Sequence, residues 1–273
     1  MGTRPSCDAR RRGQGLALAV AFALTARGAA AQVAVDELEL HVSLRPGAIG
    51  LSQTFHAANA GQTAANAMIS TEDWDRSEGG ENRYYPLGSL PTTCGNHVSV
   101  FPSVLRLEPR SVQTIQVTVD SADAIPHGCY TILFVETERS RGPASSGLVY
   151  SVRYGVKVYV ERDAPLSGEV TAMSIARRPR SDTASGTGSA ELTLSFHNSG
   201  SRQTETRGKV EVRRLDDSVV STVDIPAFPT LPSATRRLDV AIPSLARGKY
   251  VLLAMLDYGG QEIAAGQASL EVP

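Results

Sequence analysis

The sequence lacks a large net charge of either sign and has few aromatic residues. Its formal net charge is −1 over 273 residues, and aromatic residues make up only 5% of the chain. A domain that binds nucleic acid is expected to carry a patch rich in Lys and Arg. The composition therefore gives no indication of a nucleic-acid partner.

The sequence also lacks the common motifs of enzymes and metal sites. It contains no G-x-S-x-G nucleophile motif, no Walker phosphate-binding loop and no dinucleotide-binding glycine motif. The five histidines are scattered, without the spacing of a zinc site. The acidic stretch Glu72–Glu81 lacks the regular spacing of a calcium loop, so we interpret it as a charged, solvated turn. We predict a protein without catalytic activity, metal or cofactor.

One apolar run stands near the start of the chain and has the features of a secretory signal peptide. Three arginines at Arg10–Arg12 precede the run Leu16–Ala26, and small residues follow at Ala29–Ala31. We predict cleavage after Ala31, so that residues 1–31 are removed. The run is too short to span a bilayer, and no other segment is longer or more apolar. We expect an exported, periplasmic protein without a membrane-inserted segment.

Cysteine is scarce, and its positions agree with export. Of three cysteines, Cys7 leaves with the predicted signal peptide, so that Cys94 and Cys129 remain. An exported protein meets an oxidising environment, and no C-x-x-C pair indicates a redox site. We predict a disulfide between Cys94 and Cys129.

Short alternating apolar segments separated by turn residues fill the rest of the chain, which is typical of an all-β sandwich. The longest is Gly147–Glu161, predicted as one strand, and Val35–Leu44 is predicted as the first strand. The polar, Gly-rich stretch Asp73–Arg83 is predicted as a loop. We place a domain boundary near Arg162–Pro165, giving immunoglobulin-like sandwiches over 32–162 and 163–273.

Three patterns in the first half recur in the same order in the second half. The segment Phe55–Gly61 resembles Phe196–Gly200, since both place Phe-His before an Asn-x-Gly turn. A proline and an alternating strand follow in each half, and then Gly128–Tyr130 corresponds to Gly248–Tyr250. This order predicts two sandwiches of one type in tandem.

The first half resembles the N-terminal domain of the periplasmic pilus-assembly chaperones, the PapD-like family. The resemblance covers about residues 33–162 and lies in the order and spacing of several short patterns. They are Asp73-Trp74, Cys94–Val100, Pro102, Leu105 and Leu107 before Pro109, Gly128-x-Tyr130 and the strand that ends at Val156–Tyr159.

The resemblance implies a chaperone that shields an exported pilin-like or other β-rich subunit by lending it a β-strand (148–160). The donor residues would be Leu148, Tyr150 and Val152, and Lys157 would hold the subunit's terminal carboxylate. Their even and odd numbers place the donors and the anchor on opposite faces of one strand. The family's second anchor is an arginine in the first strand, but no arginine stands there before Arg45, so Arg153 is our substitute. An outer-membrane assembly platform would be a further partner.

Two other interpretations stay open at this stage. The last strand of the first domain completes its own sandwich, with Lys157 as an ordinary edge-strand lysine that discourages aggregation. The protein would then be a non-catalytic structural or adhesive module of the cell envelope. The second interpretation is an exported hydrolase, whose site would have to be assembled from residues far apart in the sequence.

Overall fold

Strands account for nearly all regular structure in the computed structural model, which describes residues 33–125, 127–141, 149–177 and 188–273. The only helix in these residues is one short turn, η1 (Gly95–His97). No helix in the described ranges has the length and apolar character needed to span a bilayer. The predicted all-β class with two tandem sandwiches is confirmed. The predicted signal peptide 1–31, with Cys7, lies outside the described residues.

The first sandwich consists of two main sheets that face each other across one apolar core. Its strands are β1 (Val33–Val35), β2 (Glu39–Leu44), β3 (Ile49–Asn59), β4 (Ala65–Arg76), β5 (Asn82–Pro86), β6 (Val98–Phe101), β7 (Val104–Leu107), β8 (Val112–Ser121), β9 (Cys129–Thr137), β10 (Ser140–Arg141), β11 (Val149–Tyr150) and β12 (Arg153–Arg162). One sheet has the order β1-β3-β8-β6, and the other has the order β2-β12-β9-β4-β5, with β7 also paired to β4. The short strands β10 and β11 pair with each other.

The predicted first strand, Val35–Leu44, is wrong as a single element. The chain forms β1 in one sheet, leaves it after Val35, and enters the other sheet as β2. Asp36 marks the change, because its carboxylate accepts hydrogen bonds from the backbone N–H of His56 (2.7 Å) and lies 2.6 Å from His56 Nδ1. A partner 20 residues away thus ends β1, which the local pattern does not indicate.

The predicted loop Asp73–Arg83 is also wrong for most of its length. Strand β4 continues to Arg76 and β5 begins at Asn82, so the turn is confined to the five residues between them. Asp73 is buried on one face, where its carboxylate accepts hydrogen bonds from Leu90 N–H and the Thr93 hydroxyl. Because the consecutive residues Asp73 and Trp74 are both buried, the segment does not show the alternation of buried and exposed residues by which a strand is predicted.

The strand predicted over Gly147–Glu161 is interrupted. β11 ends at Tyr150 and β12 begins at Arg153. The break is a β-bulge. Thr137 is opposite Val152 and Ser140 is opposite Tyr150, so the segment from Thr137 to Ser140 has one residue more than the segment that it pairs with. Thr137 N–H donates to the Val152 carbonyl, and Val152 N–H donates to the Thr137 hydroxyl, both at 2.9 Å. Residues 147 and 148 lie outside the described residues.

The second sandwich has its own core and contains sheets of three and four strands. Its strands are β13 (Glu169–Arg177), β14 (Gly188–His197), β15 (Thr204–Arg214), β16 (Val219–Thr230), β17 (Thr235–Leu245), β18 (Gly248–Asp257) and β19 (Ala264–Val272). The sheets have the orders β13-β14-β17 and β16-β15-β18-β19. Phe196, Leu192, Leu252 and Leu256 are fully buried between them.

The internal repeat is confirmed by identical hydrogen bonding at two buried asparagines. Asn59 donates to the carbonyls of the residue four positions later and of Leu107, and its oxygen accepts from Gly61 N–H. Asn198 donates to the carbonyls of the residue four positions later and of Thr230, and its oxygen accepts from Gly200 N–H. Each side chain therefore fixes the same turn in its sandwich.

The predicted disulfide between Cys94 and Cys129 is present, with the two Cα atoms 4.9 Å apart. Both cysteines are buried in the core of the first sandwich. Cys94 directly precedes η1, and Cys129 is the first residue of β9. The bond thus attaches the connection before β6 to the strand that borders β12.

Candidate functional site

Strand β12 has one edge that is only partly covered. On one side it pairs with β9 from Arg153 to Val160. On the other side β2 runs parallel to it and covers only Lys157 to Arg162. Within the described ranges, no strand pairs with the segment from Arg153 to Val156 on that side.

The backbone direction at this edge follows from two hydrogen bonds. Lys157 N–H donates to the Leu38 carbonyl at 2.8 Å, so the backbone N–H and C=O groups of odd-numbered residues of β12 point toward β2. The Val152 carbonyl accepts from Thr137 N–H, so the backbone groups of even-numbered residues point toward β9. Successive residues of a strand alternate in this way. The N–H and C=O groups of Arg153 and Gly155 therefore point outward at the uncovered edge.

The even-numbered side chains of β12 face the core of the first sandwich. Val156, Val158 and Val160 are fully buried there, and half-buried Tyr154 donates from its hydroxyl to the Val33 carbonyl at 2.8 Å. The length of strand that remains available for a partner is therefore shorter than the predicted 148–160.

The predicted donor residues precede this buried part. Tyr150 is 45% exposed, and Val152 is half-buried. Both line a cavity of about 160 Å³ together with Val33 and Thr137. Leu148, the third predicted donor, lies outside the described residues.

The odd-numbered side chains of β12 lie on the opposite face of the sheet, where aromatic residues cluster. Trp74, Tyr130, Ile132, Phe134 and Tyr159 are buried in this cluster, which we call the aromatic cluster. Leu231 of the second sandwich packs against it. The cluster thus lies in the cleft between the two sandwiches. Burial, and then the nearby charge of Glu39, raises the pKa of the Tyr159 hydroxyl.

The predicted anchor, Lys157, lies at the rim of the aromatic cluster. Its ammonium group is 5.3 Å from the centre of the Trp74 ring, and its side chain is 17% exposed. Glu39, its register partner on β2, accepts a hydrogen bond from the Lys157 ammonium at 2.9 Å. Lys157 is therefore in the cleft and carries an internal carboxylate partner.

Arg153, the predicted substitute for the second anchor, lies four residues from Lys157, about 13 Å along the strand. Its guanidinium is 3.5 Å from the centre of the Phe134 ring and pairs with Glu72 and, at 3.6 Å, with Glu136. The structure brings Arg153 to the same face as Lys157 but pairs it with two carboxylates.

Two arginines that the sequence analysis did not select donate hydrogen bonds from one sandwich to the other. The guanidinium of Arg76, on β4, is 5.7 Å from the centre of the Trp74 ring. It donates to the Asn82 side chain at 3.0 Å and to the Pro229 carbonyl at 3.4 Å. Arg236, on β17, donates to the Glu78 carbonyl at 2.6 Å. In the sequence, Arg76 stands two residues after Trp74. This spacing places the two side chains on the same face only if both residues belong to one strand.

A buried carboxylate connects the two sandwiches below the cleft. Glu161, at the end of β12, accepts hydrogen bonds from Gln203 N–H at 2.7 Å and from the Tyr130 hydroxyl at 3.3 Å. The guanidinium of Arg202 lies 4.0 Å from the same carboxylate. Burial raises the pKa of Tyr130, and the charge of Glu161 raises it further.

The acidic residues of the stretch Glu72–Glu81 do not converge on one point. Asp75 forms a bidentate ion pair with Arg83, with N–O distances of 2.7 and 2.8 Å, and Glu72 forms an ion pair with Arg153. In the residues that the structure describes, no group of three or more His, Cys, Asp or Glu side chains is arranged to hold a metal ion.

No family model and no curated protein matches this sequence. Among solved structures, a chain of the chaperone–tip adhesin complex of CFA/I fimbriae is similar, with 11% identity, a TM-score of 0.48 and coverage of 89% of this chain and 100% of that chain. A chain of the CsuC–CsuE chaperone–tip adhesion subunit complex of Acinetobacter baumannii has 12% identity, a TM-score of 0.45 and coverage of 87% and 98%.

The SafA pilin–SafB chaperone complex of Salmonella enterica gives 12% identity, a TM-score of 0.44 and coverage of 86% and 96%. These structures contain fimbrial chaperones, the class that the sequence resemblance named. Identities this low do not transfer a function from one chain to another, because one fold serves many functions.

Proposed function

We propose that the mature protein is a periplasmic chaperone that binds an exported, pilin-like β-rich subunit along the uncovered edge of β12. One observation carries the proposal: Arg153 and Gly155 direct backbone N–H and C=O groups outward, before the point where the parallel strand β2 begins. Unpaired strand edges are the sites at which an additional strand is recruited.

The proposed binding adds one strand of the subunit to the sheet at this edge. Backbone hydrogen bonds would provide affinity, and the side chains of Tyr150 and Val152 would enter an apolar groove of the subunit. Burying a side chain of this size stabilises a complex by about 1.5–3 kcal/mol. Since Val156, Val158 and Val160 are buried in their own sandwich, the donated part would end before Val156.

The cleft supports a second contact in the same complex. Lys157 lies beyond the donated part and projects to the opposite face. A subunit strand paired along β12 would bring its end toward this ammonium group, which matches a terminal carboxylate in charge. The proposal requires no nucleotide or metal.

The experiment compares two neighbouring residues that face opposite ways. The tagged protein is expressed with its native leader together with the fimbrial-type subunits of its source, and the amount of subunit that co-purifies from the periplasm is measured. Tyr150→Asp should abolish co-purification, because it places a charge on the proposed donor face. Val149→Asp, at a residue 53% exposed on the other face of the strand, should leave most of the subunit bound. Equal binding to both variants would refute the proposal.

A second pair of variants tests the backbone rather than a side chain. Arg153→Pro removes an N–H that points to the uncovered edge, whereas Arg153→Ala removes the same side chain and keeps the N–H. Only the proline variant should lose the subunit. If both variants lose it equally, the side chain of Arg153 is responsible and the edge is not used.

The alternative function is a structural or adhesive module of the cell envelope. It is favoured by the burial of Val156, Val158 and Val160 in their own core and by the pairing of Lys157 with Glu39. Trypsin distinguishes the two functions, since Arg139 is exposed next to the donor residues. A subunit bound at this edge should slow cleavage there, whereas a self-sufficient module should show the same cleavage with and without the subunit.

A further inference from the structure

The edge of β12 is uncovered because the chain that leads into β2 lies in the other sheet. Continued toward the N-terminus from Glu39, the parallel register of β2 with β12 would place Glu37 beside Gly155 and Val35 beside Arg153. The chain instead forms β1, which pairs with β3. The residues that could cover the proposed binding edge are therefore present in the protein and are paired elsewhere.

The sequence of this segment fits a continuous strand at every position except one. The buried side chains of β2 are those of its even-numbered residues, Leu40, Val42 and Leu44. Ala34 and Leu38 extend this apolar series toward the N-terminus, and Asp36 alone interrupts it. In a continuous strand the Asp36 carboxylate would lie on the core side of the sheet, where a charge without a partner is costly.

Asp36 makes three contacts with His56 of β3, which together we call the clasp. Its backbone N–H donates to the His56 carbonyl at 3.2 Å, its carboxylate accepts from the His56 N–H at 2.7 Å, and its second carboxylate oxygen lies 2.6 Å from Nδ1 of the ring. The hydrogen bond from the His56 backbone is the main cause that lowers the pKa of the Asp36 carboxyl. The clasp thus keeps a charged carboxylate outside the core.

The position of β1 depends on the clasp and on one buried side chain. Val33 is buried, and its carbonyl accepts from the Tyr154 hydroxyl at 2.8 Å, so β1 lies within one side chain's length of β12. Moving this segment to β12 replaces its backbone pairs with β3 by backbone pairs with β12. It also reverses the faces and turns Val33 out of the core. The clasp and the burial of Val33 therefore favour the arrangement that the structure shows.

We infer that residues 33–38 compete with the subunit for the edge of β12, and that the clasp keeps them away from it. In the open form the segment forms β1, and in the closed form it continues β2 along β12. The subunit binds only the open form, so the clasp sets the fraction of the protein that is able to bind. The inference rests on the proposed function for what the edge binds, whereas closing itself needs no subunit.

The test measures backbone amide hydrogen exchange in the full mature protein without a subunit. Asp36→Val removes the carboxylate contacts of the clasp and completes the apolar series of even-numbered residues. Losing a hydrogen bond to a charged group shifts an equilibrium by about tenfold or more. We expect the amides of Arg153 and Gly155 to exchange at least about tenfold more slowly in this variant than in the wild type.

The amide of Ala58 reports on the strand that the segment leaves. Hydrogen-bonded pairs alternate along antiparallel strands, so the bond from Asp36 to His56 places Ala58 N–H opposite the Ala34 carbonyl. Closing should make Ala58 exchange faster while the two amides of β12 exchange more slowly. Faster exchange at Ala58 without slower exchange in β12 would show that β1 only frays, and would refute the inference.

Two further variants control the experiment. Glu37→Val replaces the adjacent exposed acid, which is not part of the clasp, and should change exchange in β12 by less than about twofold. His56→Ala removes one contact of the clasp and leaves residues 33–38 unaltered, so it should slow exchange in β12 by a smaller factor than Asp36→Val. If Asp36→Val does not fold, wild-type exchange in His56→Ala alone refutes the inference.

Co-purification of the subunit separates this inference from the proposed function. Asp36→Val should lose the subunit although Tyr150 and Val152 are unchanged. Slow exchange in β12 together with full subunit binding would overturn the competition and the proposed use of the edge. Unchanged exchange in Asp36→Val, with the subunit still lost in Tyr150→Asp, would refute the inference and leave the proposed function standing.

Discussion

Removing the disulfide between Cys94 and Cys129 should destabilise the first sandwich by an amount that can be calculated. The bond closes a loop over a sequence separation of 35 residues. In the chain-entropy description, a loop of this length contributes about 4 kcal/mol to the free energy of unfolding. The perturbation is the double variant Cys94→Ala/Cys129→Ala, which leaves no free thiol in the mature chain.

The assay is urea unfolding followed by the fluorescence of Trp74, which is buried in the first sandwich at its boundary with the second. With a slope of about 2 kcal/mol per molar urea, the midpoint should fall by roughly 2 M. The second sandwich contains no cysteine and serves as the internal control, followed by circular dichroism. A reductant should shift the wild type and leave the variant unchanged. A midpoint that does not fall in the variant would refute the reasoning.

Three further predictions concern the turns, the buried hydroxyls and the leader. Asn59→Ala should cost about 2–4 kcal/mol of stability in the first sandwich, because three backbone groups lose their partner, and Asn198→Ala should do the same in the second. The raised pKa of Tyr130 and of Tyr159 favours the neutral hydroxyl in the folded state. The contribution of these two tyrosines to the free energy of unfolding is therefore complete below pH about 10 and is lost as the pH rises further. Tyrosinate absorbance from Tyr130 and Tyr159 should then appear only when the protein unfolds. The intact mass of the periplasmic protein should correspond to removal of residues 1–31.

Each of these has an outcome that contradicts it. The turn prediction uses Asn66→Ala as its control, because the Asn66 side chain is exposed and, among the described residues, donates only to Glu138. Equal stability losses in Asn59→Ala and Asn66→Ala would show that burial of the turn does not matter. Tyrosinate formation by Tyr130 and Tyr159 near pH 10 in the folded protein would contradict their raised pKa. A periplasmic protein that retains its first residues would refute the cleavage site.

The fold class followed from the sequence because alternation is a local property. The strands, the repeated Asn turns and the disulfide each depend on residues that are close together or on the compartment. The interruption at Asp36 was missed, since it depends on His56, which belongs to the neighbouring strand. The continuation of β4 through Trp74 was missed because both faces of the strand are covered there, by Thr93 and Leu90 on one side and by the aromatic cluster on the other.

The candidate site was predictable only in part for the same reason. Strand parity was enough to separate Lys157 from the even-numbered residues that precede it. Arg76 escaped selection because its stretch had been interpreted as a loop, and Arg236 belongs to the other sandwich. The pairing of Glu39 with Lys157 depends on the parallel register of β2 with β12, which the sequence does not specify.

The central claim, that the uncovered edge of β12 pairs with a subunit, is tested most directly by backbone amide hydrogen exchange. Arg153 and Gly155 direct their N–H groups to that edge, whereas Val156 and Val158 direct theirs to β9 and are the internal controls. In the protein alone, the first two amides should exchange fast and the controls slowly. Strong protection of Arg153 and Gly155 in the complex with a subunit is the predicted result, and unchanged exchange at both positions in a verified complex would contradict it.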